Sequence, residues 1–295
     1  MNADPTDRRS FLRWVTALAA GLGLTRGRAN LLAADKVAEG APHADKLGWR
    51  LGCQAWSFNN FTFFEAVNKT ASLGLHYIEA FPNQNVTHDA ADGQVNEHMT
   101  SAVRQKVKDH LKDKGVKLVS FGVGGYSRPI FEFAKDMGIE NLVCEPNFDD
   151  FDKIDKLCEE FKINVALHDH PKPSRYWNPD IVLKHVSGHS KRIGACCDTG
   201  HWIRSGIDPL EALKKLEGRI IEFHFKDLNK KAPNGHDVPW GTGVADVKAL
   251  LVEVKRQGIK PLFSVEYEYN MRHSLPEIAQ CVAYFDKVCA ELAKT

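Results

Sequence analysis

The sequence predicts an α/β protein: a single (β/α)8 TIM barrel after an N-terminal signal segment. Three observations predict it. From about residue 48 to the end, short apolar runs rich in β-formers alternate with longer amphipathic stretches. Glycine closes five of those stretches a few residues before the next apolar run begins. Residues 1–34 share neither pattern and carry a different charge.

In chain order, Asp7-Arg8-Arg9-Ser10-Phe11-Leu12-Arg13 resembles a twin-arginine export signal, with Asp7 where Ser or Thr is usual. The apolar run Trp14–Leu24 that follows is about half of the roughly 20 residues a bilayer span needs. It is interrupted by glycine and flanked by arginine, so it reads as the core of a signal peptide over residues 1–34, with Ala29 and Ala34 as candidate cleavage points. Residues 35–47 are expected to be a linker and residues 48–295 the barrel. Eight strands are expected at Arg50–Trp56, Tyr77–Phe81, Lys117–Val123, Asn141–Cys144, Asn164–His168, Ile193–Asp198, Ile220–Phe225 and Leu262–Glu266. Each is a continuous apolar run, as parallel strands buried on both faces require. The helices between them stop at Gly74, Gly115, Gly138, Gly218 and Gly258, where a left-handed C-terminal residue is needed. Asp208-Pro209 marks a helix start, and Ser274 with Glu277 has capping-box spacing. A doubly wound open sheet would usually carry a glycine-rich phosphate loop after its first strand, and Gln54-Ala55-Trp56-Ser57-Phe58 is not one.

Composition narrows the function. The 295 residues are 43% hydrophobic and 26% charged, which excludes disordered, fibrous and multi-span membrane chains. The net charge of +1 conceals an asymmetry. Residues 1–34 hold five arginines and two aspartates, leaving 34 basic and 36 acidic residues in the remainder. A mildly acidic barrel disfavours nucleic acid as a partner. The seven cysteines lack a C-x-x-C pattern, and most fall in apolar runs, so they are expected to be free, buried thiols.

Barrel chemistry sits where strands end. The second strand ends in Glu79, the fourth in Glu145 and the fifth in His168-Asp169-His170. The sixth ends in Asp198 followed by His201, the seventh in His224 with Lys226 and Asp227 after it, and the eighth in Glu266 followed by Glu268. So many charges at one face are costly unless they are paired or bind a cation, so the set suggests a metal site.

Cys197-Asp198-Thr199-Gly200-His201-Trp202, His224-Phe225-Lys226-Asp227, Gly241-Thr242-Gly243 and Val265-Glu266 together resemble the xylose-isomerase-like TIM-barrel superfamily of sugar isomerases and epimerases, in particular the ketose 3-epimerases. Endonuclease IV is a more distant relative in the same superfamily. The resemblance implies that Asp198, His224 and Glu266 are metal ligands and that His201 contacts substrate. The epimerases place a Glu at the end of the fifth strand, where this chain has His168. The expected ligand set is therefore His168, Asp198, His224 and Glu266. Two imidazoles and two carboxylates suit Mn²⁺, Zn²⁺, Co²⁺ or Fe²⁺ better than Mg²⁺ or Ca²⁺.

The resemblance further implies proton abstraction beside a metal-polarised carbonyl. With His168 replacing one of the two family carboxylates, Glu266 is expected to act as base, and Glu145, His168, His201 or Lys226 as partner acid. Elimination, the reaction of a 3-keto-glycoside lyase on the same fold, is the alternative that also fits. A non-catalytic periplasmic sugar-binding protein is the other alternative. An exported chain without a phosphate cradle points to a non-phosphorylated sugar or keto-sugar as substrate. Trp56, Glu79, His201 and Trp202, with Phe81, are candidates to contact it. No nucleic-acid partner and no stable membrane insertion are expected, while a homo-oligomer stays open.

Overall fold

The computed structural model describes residues 39–294. Among them, eight parallel strands close into a barrel in sequence order: β1 (Arg50–Gln54), β2 (Tyr77–Ala80), β3 (Lys117–Gly124), β4 (Asn141–Cys144), β5 (Asn164–His168), β6 (Ile193–Asp198), β7 (Ile220–Phe225) and β8 (Leu262–Val265). Closure is made by β1 on β8, with Arg50 opposite Leu262 and Cys53 opposite Val265. The helices are α1 (Pro42–Lys46), α2 (Phe63–Ser72), α3 (Ser101–Lys114), α4 (Arg128–Met137), α5 (Phe151–Phe161), α6 (Pro179–Val186), α7 (Thr199–Arg204), α8 (Pro209–Lys215), α9 (Val247–Arg256) and α10 (Leu275–Leu292). Sheet and helices share a core in which Trp49, Phe263, Phe285 and Trp240 form a chain of ring contacts 5.0 to 6.2 Å apart. The proposed export segment lies outside the described residues.

The expected fold stands, with adjustments at element ends. Strand β1 stops at Gln54 because the chain turns into a 3₁₀ segment at Ala55–Phe58, capped by the Gln54 side chain. Phe81 and Glu266 fall one residue beyond their strands. All five expected stop glycines have positive φ, between 64° and 78°. Asp208 caps α8 by accepting from Leu210 N–H and Glu211 N–H. The capping box expected at Ser274 and Glu277 is absent. Ser274 is buried in helical conformation, and its hydroxyl donates instead to backbone carbonyls of Met271 and Ser57. A capping box does form at the start of α2, where Thr62 and Glu65 bond each other's backbone N–H. The stretch expected as linker contains α1, whose His43 N–H and ring both bond Asp286 of α10 at 2.7 Å. All seven cysteines are free and buried. Burial pushes the Cys53 thiol up to about 12, far from a reactive thiolate. No described helix is long and apolar enough to cross a membrane.

Strand register positions the site. Asp198 stands opposite His224, and His168 stands opposite Cys196, two residues before Asp198. Phe225 is opposite Val265, so Glu266 emerges beside the end of β7. Successive parallel strands thereby bring His168, Asp198, His224 and Glu266 to one edge of the barrel mouth.

Candidate metal centre

One ligand atom from each of His168, Asp198, His224 and Glu266 lies within 4.8 Å of the others, and all four residues are buried. The donor atoms make few bonds with one another. His168 Nε2 and His224 Nδ1 are buried without a hydrogen-bond partner, and Glu266 Oε2 is met only by the Lys226 ammonium and the His224 ring. His224 Nδ1 faces Glu266 Oε2 at 3.2 Å, and His168 Nε2 faces Asp198 Oδ2 at 3.7 Å. Such spacings are near the roughly 3.3 Å edge of a tetrahedron with bonds of about 2.0 Å. Buried polar atoms seldom stay unpartnered, and nitrogen and oxygen donors converging in this way fit a divalent cation.

The surrounding charges keep both carboxylates ionised. Burial alone would raise the Asp198 and Glu266 carboxyls. Lys226 beside Asp198, and Lys226 and His224 beside Glu266, reverse that and hold both well below the usual carboxylate range. Lys226 is buried, with Nζ at 2.7 Å from Glu266 Oε2 and 2.8 Å from both Asp198 Oδ2 and Glu268 Oε2. Three carboxylates outweigh its desolvation and keep the ammonium charged. Gly200 makes room for it: a Cβ there would stand 2.9 Å from Lys226 Cβ and Cδ.

His201 has a defined tautomer. Arg204 Nη1, which can only donate, lies 2.9 Å from His201 Nδ1, so that nitrogen accepts and the proton sits on Nε2. Burial keeps the ring neutral by pulling its pKa well below the usual value. His201 is thus a hydrogen-bond donor rather than a base. Arg204 also bonds Glu268 Oε2 at 3.1 Å and Asp237 Oδ2 at 3.4 Å, tying the loops after β6, β7 and β8 together.

Above the cluster opens a cavity of about 370 Å³, lined by Trp56, Phe81, Asn83, His168, His170, His201, Glu266 and Glu268, among others. Trp56 and Phe81 meet edge to face at 5.0 Å, forming an apolar wall opposite the histidines. Among the described residues, no lysine or arginine lines this cavity. A larger cavity of about 490 Å³ lies away from these residues, between the loop before α8 and α9.

Of the residues singled out in the sequence, Trp56, His168, His201 and Glu266 face the cavity. Glu79 does not. It is fully buried, 2.9 Å from His224 Nε2, so contact with substrate is replaced by contact with a candidate ligand. Trp202 is 1% exposed within the core, where the turn of α7 carries it away from the mouth. Lys226 is likewise enclosed by its carboxylates. Glu145 stands behind His170, its carboxylate bonded to His170 Nδ1 and 3.6 Å from His168 Nδ1. His170 faces the cavity and had been singled out only as part of the strand-5 ending; its signal was alternation with His168 across Asp169. Nothing in the sequence marks Gln54, which is neutral, or Arg204, whose side-chain partners Asp237 and Glu268 are distant in the chain.

A closed barrel of eight parallel strands with a polar, cation-fitting mouth defines the chain as a TIM-barrel protein. The chain belongs to the xylose isomerase-like TIM barrel family, whose pattern matches residues 129–287. An uncharacterized protein from Parabacteroides distasonis is 34% identical, with a TM-score of 0.66 over 81% of this chain and 99% of that one. A D-tagatose 3-epimerase-like protein (16% identity, TM-score 0.63, 82% and 99% covered) and a protein described as IOLI with a bound zinc atom (17%, 0.61, 82% and 98%) share the fold. Among curated proteins, the inosose dehydratase of Lacticaseibacillus casei is 21% identical over 207 residues, 60% of this chain and 66% of its own length. The chain thus spans less than two thirds of the first curated relatives it matches, down to 32% for an uncharacterized protein of Sinorhizobium fredii.

Proposed function

We propose that the protein is a metal-dependent enzyme that removes a proton from the carbon beside a ketone in a non-phosphorylated sugar or keto-sugar. The observation that carries this reading is the buried convergence of His168, Asp198, His224 and Glu266, with an imidazole nitrogen of each histidine, His168 Nε2 and His224 Nδ1, lacking a hydrogen-bond partner. These four residues would hold the cation, with imidazole and carboxylate donors suited to Mn²⁺, Zn²⁺, Co²⁺ or Fe²⁺. When bound, the ion would polarise a substrate carbonyl and acidify the adjacent C–H.

Glu266 is the base. Its Oε2 is turned to His224 and Lys226, while Oε1 takes no part in those contacts and the residue lines the cavity. His201 donates Nε2–H to a substrate oxygen, and Arg204 holds it in that state. Lys226 keeps the carboxylates in place rather than delivering protons, since its ammonium is enclosed by three of them. The Trp56–Phe81 wall offers a face for a sugar ring, and a lining without lysine or arginine favours a substrate without phosphate.

A second reading, elimination rather than epimerisation, is favoured by chemical asymmetry. The two carboxylates that line the cavity, Glu266 and Glu268, both follow β8, and Glu268 is held by Lys226 and Arg204, while the imidazoles of His168, His170 and His201 line it elsewhere, so there is no pair of equivalent carboxylates for a symmetrical proton exchange. The curated similarity to inosose dehydratases supports the same direction. We further place the protein outside the cytoplasmic membrane on the Asp7–Arg13 pattern. Cell fractionation of wild type against the Arg8→Lys, Arg9→Lys pair tests that placement.

The function is tested by incubating metal-loaded protein with ketoses and 3-keto-glycosides in heavy water. Deuterium is expected at the carbon beside the ketone, falling by at least about 100-fold in Glu266→Gln. The products then separate epimerisation from elimination. Equal exchange in Glu266→Gln would overturn the assignment of the base.

A further inference from the structure

The ring of His224 is held from below by a buried polar chain that crosses the barrel. Glu79, from β2, reaches His224 on β7, with Glu79 Oε1 at 2.9 Å from His224 Nε2 and both residues fully buried. Glu79 Oε2 accepts from Ser264 Oγ at 2.8 Å. Gln54 Nε2 is 3.3 Å from Glu79 Oε1 and also donates to Gly122 O at 2.7 Å. The Gln54 amide cannot be reversed, because its Oε1 already accepts from Trp56 N–H at 2.6 Å. The neighbours of Glu79 therefore present donors, and the carboxylate acts as an acceptor. The proton between Glu79 and His224 then resides on Nε2, which leaves Nδ1 turned toward Glu266. Nδ1 is the imidazole atom that is buried, unpartnered and 3.2 Å from Glu266 Oε2.

We propose that Glu79 is a positioning residue that acts through His224, fixing its tautomer and ring plane so that Nδ1 is presented to a divalent cation. The inference rests on the proposed metal centre and adds to it a residue that never touches substrate. A carboxylate on the far nitrogen of a ligating imidazole raises its basicity and pre-orients it, and loss of such a partner typically weakens metal binding about 10–100-fold. Because Gln54 also receives the backbone N–H of Trp56, the chain joins the aromatic wall of the cavity to the metal ligand.

The test is the affinity of the full chain for Co²⁺, measured by competition with a chromophoric chelator and by the visible absorption of bound cobalt. Glu79→Gln is expected to bind Co²⁺ about 10–100-fold more weakly than wild type. Ser120→Ala, which alters the barrel interior at a residue bonded to Glu222 rather than to His224, is expected to retain wild-type affinity. Unchanged affinity in Glu79→Gln would overturn the inference while leaving the metal centre standing. Wild type that binds no cobalt would overturn both. Should Glu79→Gln not fold, ¹⁵N-histidine spectra of zinc-loaded wild type decide the matter. A proton on Nε2 of His224 is expected, and a proton on Nδ1 would overturn the assignment.

Discussion

Lys226 shows how much of the candidate site is decided by single side chains. An ammonium with no exposed surface is stable only because Asp198, Glu266 and Glu268 all lie within 2.8 Å of it. Removing it strands the buried carboxylates of Asp198 and Glu266, and breaking buried pairs in this way costs about 3–5 kcal/mol. Lys226→Met is therefore expected to lose stability of that order in urea unfolding with chelator present. Added Co²⁺ should recover more stability for the variant than for wild type, because the ion then supplies the missing positive charge. Equal stability of variant and wild type without metal would show that Lys226 does not balance the site. The individual residues were legible because barrel chemistry has a known address, the C-terminal end of each strand; His168 and Asp198 end theirs, and His224 and Glu266 lie one residue to either side of that point. Their mutual support was not legible. Glu79 and His224 are 145 residues apart in sequence, and only the closed barrel brings them together.

At the level of elements, the turn after β7 shows what a motif match leaves unexplained. Gly241-Thr242-Gly243 resembles a family segment, and a Gly-x-Gly loop invites the idea of a ligand cradle. The loop wraps Asp227 instead. The Asp227 carboxylate accepts backbone N–H bonds from Gly241, Gly243 and Ala245, each at 2.9 Å. A Cβ on Gly243 would fall 2.2 Å from Asp227 Oδ1 and 2.3 Å from Leu228 O, and the backbone atom cannot move aside cheaply. Gly243→Ala is expected to destabilise the protein by about 1–3 kcal/mol and to speed proteolysis within residues 229–246. Wild-type cleavage and melting would show that the close approach is relieved at no cost. The strands were readable because burial on both faces leaves unbroken apolar runs, and the helix ends because left-handed residues favour glycine. Ser274 misled because spacing alone does not reveal burial: a hydroxyl inside the core bonds whatever carbonyl is near, here Ser57 O and Met271 O. The Thr62–Glu65 box has the same spacing and forms because Thr62 is extended, at ψ 163°, where its hydroxyl can reach the Glu65 N–H, whereas Ser274 is already helical at ψ −17°.

The whole molecule is stiffened at its functional end by a network that also makes its stability depend on pH. Arg204, Asp237 and Glu268 come from the loops after β6, β7 and β8, and Asp237 is 1% exposed. Its Oδ1 has no partner, and its contact with Arg204 is long at 3.4 Å. Burial therefore prevails over Lys226 and Arg204, and with Glu268 nearby it raises the Asp237 carboxyl to about 7. In the unfolded chain the same group titrates near about 3.9. Below pH 4 both states hold the proton, and its contribution to stability is fully present. Between about 4 and 7 the unfolded chain releases the proton first, so stability falls, and the loss is complete once the folded group has titrated. The penalty above pH 7 is on the order of 2–4 kcal/mol. Asp237→Asn, equal in shape and unable to ionise, should match wild type near pH 4 and exceed it by that amount near pH 8. Urea unfolding of both proteins across this range, with chelator present so that metal binding adds no pH dependence, reads the difference directly. A constant difference across the range would mean that Asp237 is ionised in the folded protein throughout, held by Arg204 in spite of its burial.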